Sequence, residues 1–135
     1  MWSTDSFQIA IDDRADINPV GAGLINEFGI AQGSDEKASV YRYSSFYNTD
    51  NAGPVENCDV AVKRYDTYTV YEVRLPWDEI FYKDYEVDWQ EKSHKYRFSA
   101  LLNDNDGSGR GWIEYMSGIG TIKKVTLFGD LKLKK

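Results

Sequence analysis

Four side chains in this sequence have the chemistry to hold a polar ligand: Trp2, Gln8, Arg110 and Trp112. Trp2 precedes the first apolar alternation and has few apolar neighbours in sequence. Its indole face suits the C–H face of a flat ring; packing against the domain or a partner is the competing role. Gln8 falls between Phe7 and Ile9, which sends it to the opposite face of a strand. Its amide donates and accepts, as hydroxyl groups do. Arg110 closes the stretch from Asn103 to Gly109. Its fork of donors fits two adjacent hydroxyls or a carboxylate, and equally an ion pair with Asp104 or Asp106 that fixes the loop. Trp112, two positions on, falls on the same strand face as Arg110.

Acidic residues gather in two places. Asp12, Asp13 and Asp16, with Asn18 nearby, offer hard oxygens of the kind Ca²⁺ takes, or else form a solvated turn. Asn103-Asp104-Asn105-Asp106-Gly107 is the second. It lacks the EF-hand order and its closing Glu, and an Asp-Gly hairpin turn explains it equally well.

Catalysis finds little support. His94 is the single histidine, within Glu91-Lys92-Ser93-His94-Lys95, which reads as a surface loop. A Ser–His–Asp set needs a histidine that is held and oriented, and zinc chemistry needs more His or Cys. Among 22 Asp and Glu, a pair of glycosidase carboxylates arises by chance. Haem held by Met116 and His94 is a remote reading that their contexts do not favour. The expectation is a non-enzyme that requires no cofactor, with calcium at most structural.

The elements that must position these side chains are strands. Phe7, Ile9 and Ile11 alternate with polar or small residues, as do Tyr71, Val73 and Leu75, and Tyr96, Phe98, Ala100 and Leu102. Further strands are expected at 25–31, 37–43, 58–65, 111–116 and 126–133. Turn residues separate them: Asp12-Asp13, Asn18-Pro19, Gly33-Ser34-Asp35, Asn48 to Pro54, and Asn103 to Gly109. A short helix is expected at 76–80, where Pro76 is followed by Asp78 and Glu79. A helical turn within 83–92 is a second expectation. Many short strands with Gly- and Asn-rich turns imply an all-β fold, an antiparallel β-sandwich of jelly-roll type. At 135 residues, 1–135 reads as a single domain.

Composition excludes some partners. With 16 Lys and Arg against 22 Asp and Glu the net charge is −6. No basic stripe for nucleic acid appears; Lys132, Lys134 and Lys135 read as a solvated end. No apolar run is long enough to span a bilayer. Met1 to Asp5 lacks the basic start and apolar stretch of a signal peptide. A secreted protein with this opening would be cut from a larger precursor. Cys58 is the only cysteine and reads as a small buried hydrophobe. Trp77 and Trp89 read as structural. Aromatic residues make up 15% of the chain, more than an ordinary core needs, which points to a ligand-contact surface.

Five strings in order resemble one family: Trp2-Ser3-Thr4-Asp5-Ser6-Phe7-Gln8-Ile9-Ala10-Ile11-Asp12; Asn26-Glu27-Phe28-Gly29; Tyr71 to Trp77; Phe98 to Gly107 with Arg110-Gly111-Trp112; and Leu127-Phe128-Gly129-Asp130-Leu131. They are similar to the family 9 carbohydrate-binding modules, within the DOMON-like group of β-sandwiches. The resemblance implies a secreted or cell-surface module that tethers a glycan-active protein to sugar, linked to other domains. It implies that Trp2 is one of two rings enclosing a terminal sugar. The second ring has no counterpart in Ile119-Gly120-Thr121-Ile122-Lys123. Gly29, Ala31 and Leu101 stand where the sugar binder carries hydrogen-bonding side chains, while Gln8 and Arg110 remain. The family's opening strands are also missing here, so either the chain is a fragment or another segment supplies them. An exposed sheet edge of that kind invites a homodimer. A structural or assembly domain that has lost sugar binding is the alternative reading.

Overall fold

A computed structural model describes residues 4–14, 25–47, 52–87 and 96–133. The chain is all-β. Its strands are β1 (Ser6–Asp12), β2 (Asn26–Gln32), β3 (Ala38–Ser44), β4 (Gly53–Pro54), β5 (Asp59–Arg64), β6 (Thr69–Arg74), β7 (Tyr96–Asn105), β8 (Arg110–Tyr115) and β9 (Gly129–Leu131). One short helix, α1 (Trp77–Ile80), follows β6, and a 3-10 turn covers Val125–Leu127. Among the described residues no helix is long and apolar enough to cross a membrane.

Seven strands form one antiparallel sheet in the order β4-β3-β2-β1-β7-β8, with β9 also on β7. β8 and β9 share one edge of β7 end to end: β8 pairs with Ala100–Asn105 and β9 with Tyr96–Phe98. The chain leaves β8 where they meet. There the Ser99 hydroxyl lies 2.8 Å from the carbonyl oxygens of both Tyr115 and Met116. β5 and β6 form a separate two-stranded sheet.

Register sorts the side chains onto two faces. Phe7 stands opposite Ile30 and Leu102, and Ile9 opposite Phe28 and Ala100. Phe7, Ile9, Phe28 and Ile30, with Ile11 and Val40, meet β5, β6 and α1 in the main core. Fully burying a side chain such as Phe28 is worth about 1.5–3 kcal/mol. The sandwich is therefore uneven, a wide sheet faced by a narrow one. A second core lies on the opposite face, where Ala10, Ile25 and Leu101 meet Ile119, Val125 and Phe128.

Several aromatic residues gather around α1. Trp77 stacks on Phe81 at 5.8 Å, and Phe81 contacts Tyr85 at 4.4 Å and Tyr47 at 5.9 Å. Arg42 ties β3 to α1 through the Glu79 carboxylate at 2.5 Å. Cys58 packs on this core and its thiol lies 3.2 Å from the Val55 carbonyl. The aromatic residues thus divide between this cluster around α1 and exposed rings such as Tyr68, Trp112 and Tyr115.

Several expectations need correction. Gly53–Pro54, read as turn, pairs with Tyr41 and Arg42 as β4. The span 126–133 is strand only at Gly129–Leu131, because the 3-10 turn at Val125–Leu127 precedes it. Residues 83–87 contain a turn and no helix. The rest of that stretch, with Trp89 and His94, lies outside the described residues.

Candidate ligand-binding cleft

Alternation in β1 sends Gln8 to the face opposite Phe7 and Ile9. Its partners in register are Gly29 on β2 and Leu101 on β7, and Leu101 in turn faces Glu114 on β8. Gln8 thereby lines a cleft on this face. Gly29 carries no side chain, and the ring of Tyr43 fills the space above it. A Cβ at residue 29 would lie 2.6–2.9 Å from Cε2, Cζ and the hydroxyl oxygen of Tyr43. Tyr43 thus reaches the cleft because residue 29 is glycine.

The wall is the segment after β8. Gly118 takes a φ of +110°, and the Lys124 amide bonds to the Gly118 carbonyl at 3.1 Å, closing a loop. Glu114 holds that loop down: one carboxylate oxygen accepts from the amides of Ile119 at 2.7 Å and Gly120 at 3.0 Å. The loop then presents Lys123, whose ammonium binds both carboxylate oxygens of Glu27 at 2.7 and 2.6 Å. Glu27 is buried. Burial pushes its carboxyl above the ordinary range, Lys123 pulls it back, and the nearby Glu114 charge adds to the rise.

Arg110 enters from β8. Its Nε and one terminal nitrogen donate to the Asn103 amide oxygen at 2.8 and 2.6 Å. Asn103 is buried and donates onward to the Ser6 hydroxyl at 3.1 Å. The holder of Arg110 is therefore Asn103, one strand over, where sequence pointed to Asp104 or Asp106. Asp106 instead accepts from the Ser108 amide and hydroxyl. Asn105 accepts from the Gly107 amide. These bonds form the hairpin turn between β7 and β8.

Gln8, Glu27, Tyr43, Arg110 and Lys123 line one cleft of about 280 Å³. Two of these five, Gln8 and Arg110, were legible in sequence. Trp112 stands beside the cleft. Its ring lies 4.9 Å from the Arg110 guanidinium, and its Nε1 would meet a Cβ at Gly120 at 2.7 Å. Its strand also borders a second groove, lined by Tyr71 and Ile113 on the other face of the sheet. Trp2 lies outside the described residues.

The acidic cluster sits at the far end of β1. Asp12 is buried; it accepts from the Arg14 amide at 2.8 Å, and both its oxygens are bound by the Arg14 guanidinium. Arg14 in turn covers the Phe46 ring at 3.6 Å. Asp13 accepts the Tyr47 hydroxyl at 2.7 Å. As arranged, these two carboxylates bind Arg14 and Tyr47; Asp16 lies outside the described residues. Among the described residues no three His, Cys, Asp or Glu side chains converge as metal ligands.

The cleft therefore offers an amide, a phenol, an ammonium–carboxylate pair and a guanidinium. Together they donate and accept in several directions over a small area. Its volume lies near the lower bound for small-molecule pockets, the scale of one polar ring. No family model matches the chain, and neither a curated protein nor a solved structure does.

Proposed function

We infer that this chain is a non-catalytic carbohydrate-binding module of jelly-roll, DOMON-like type. It would hold a secreted or cell-surface glycan-active protein near its polysaccharide. One observation carries the reading. Gln8 and Arg110, from strands at opposite ends of the chain, line the same cleft as Glu27, Tyr43 and Lys123. A sugar needs such a mixture of donors and acceptors, and Tyr43 supplies an aromatic wall. The gain for a tethered protein is effective concentration at the glycan surface.

Titration calorimetry against mono- and oligosaccharides tests this. Heat is expected for at least one sugar, and Gln8→Ala and Arg110→Ala each weaken it about tenfold, the worth of one good hydrogen bond. Absence of heat across neutral, acidic and amino sugars overturns the reading. A second reading, an assembly domain of a multidomain surface protein, is favoured by the apolar side chains left exposed on β7 and β8.

A further inference from the structure

Among the described residues the main core is covered on one side only. Along one register row, Val40 and Ile30 are buried and Phe7 is half-buried; Leu102 and Ile113 are 39% and 75% exposed. In the next row Phe28 is buried, and Tyr115 is 62% exposed. All of these side chains point to the same face of the seven-stranded sheet. Cover ends where Tyr71 of β6 meets Phe7 at 5.8 Å. Beyond it runs a groove of about 440 Å³, with Thr69 and Tyr71 on one wall and Leu102, Trp112 and Ile113 on the other.

β6 borders that groove. It pairs with β5 on one side, and among the described residues no strand pairs with its other side. Such an edge presents backbone donors and acceptors at alternate positions. A strand laid there would hydrogen-bond to β6 and place every second side chain on Leu102 and Ile113.

We propose that the β6 edge and the apolar groove over Leu102 and Ile113 form an acceptor site for one extended, basic segment of a partner protein. Charge chooses this occupant. The groove lining includes Asp5 and Asp104 and no cationic side chain. Asp5 is met by Arg64 at 3.0 Å, whereas Asp104 has no ion partner among the described residues. In a chain of net charge −6, a flanking Lys or Arg on the incoming strand is the complementary choice.

A synthetic peptide, Lys-Val-Thr-Val-Thr-Val-Lys, probes this by hydrogen–deuterium exchange on the intact protein. Exchange at Thr69–Arg74 is expected to slow on titration. Replacing the flanking lysines by glutamates, or Ile113→Lys, weakens the response about tenfold; Ile113 is exposed, and Leu102→Thr serves as a second variant. No slowing at Thr69–Arg74, an equal response to a proline-interrupted peptide, or a dimer buried through β6 in sedimentation overturns the proposal.

Discussion

The Tyr43 ring occupies the volume that a side chain at Gly29 would need, with ring atoms 2.6–2.9 Å from that Cβ position. The shape of the cleft is thus set by a missing methyl group. Gly29→Ala forces the far end of Tyr43 to move. The cost to stability is expected to stay within about 1 kcal/mol, because alanine regains strand propensity as the ring shifts. The Tyr43 ring resonances should shift strongly, and any sugar affinity should fall. An unchanged Tyr43 environment in the variant refutes the link.

Glu27 and Lys123 define a pH dependence. The native state holds the Glu27 proton more tightly than the unfolded chain does, because burial raises its pKa. Its contribution to stability is full below the ordinary value of 4.5 and is lost as pH rises through the raised pKa. Relative to Glu27→Gln, the native protein should therefore lose stability with rising pH in that window. Lys123→Met removes the opposing charge, extends the loss to higher pH and costs roughly 2 kcal/mol at neutral pH. That is less than for a fully buried pair, because Lys123 is partly exposed. Urea midpoints across the acid-to-neutral range check both signs.

Alternation was enough to place most strands. Phe7, Ile9 and Ile11 lie in β1, and Tyr96 to Leu102 lie in β7, because a period of two has one meaning when one face is buried. The side of β1 taken by Gln8 followed from the same rule. Glu27, Tyr43 and Lys123 were not visible, because their convergence depends on register between strands far apart in sequence. Lys123 in particular sits in a segment that is neither strand nor helix. A glycine in the apolar run Phe28-Gly29-Ile30 was the available clue to a close approach. Asn103 was read within a turn, yet it is a buried strand residue. Its polarity concealed its place because its partners, Ser6 and Arg110, are also polar.

Asp12 carries its own test. Its carboxylate is buried and bound by Arg14, with the Arg14 guanidinium packed on Phe46. Asp12→Asn leaves that cation without its counter-charge, and a loss of about 3 kcal/mol is expected by thermal or chemical melting. Added calcium should leave the melting temperature of the native protein unchanged, since the Asp12 oxygens are taken. A calcium-dependent rise that disappears in Asp12→Asn would assign the cluster to the ion after all.

Asn103 is a positioning residue for Arg110. It takes two donors from the guanidinium and passes one hydrogen bond to Ser6, linking β8, β7 and the start of β1. Asn103→Ala removes the anchor and the bond to Ser6, whose hydroxyl keeps its bond to the Thr4 carbonyl, at a cost of about 2 kcal/mol. Asn103→Asp keeps the acceptor toward Arg110 and strengthens it by charge, while losing the donor toward Ser6. If Arg110 binds ligand from a fixed position, affinity collapses in Asn103→Ala and recovers in part in Asn103→Asp. Melting temperatures of the two variants, measured beside affinity, separate this order from a difference in stability. Equal affinity in the two variants, measured on samples confirmed folded by circular dichroism, would remove Arg110 from the site.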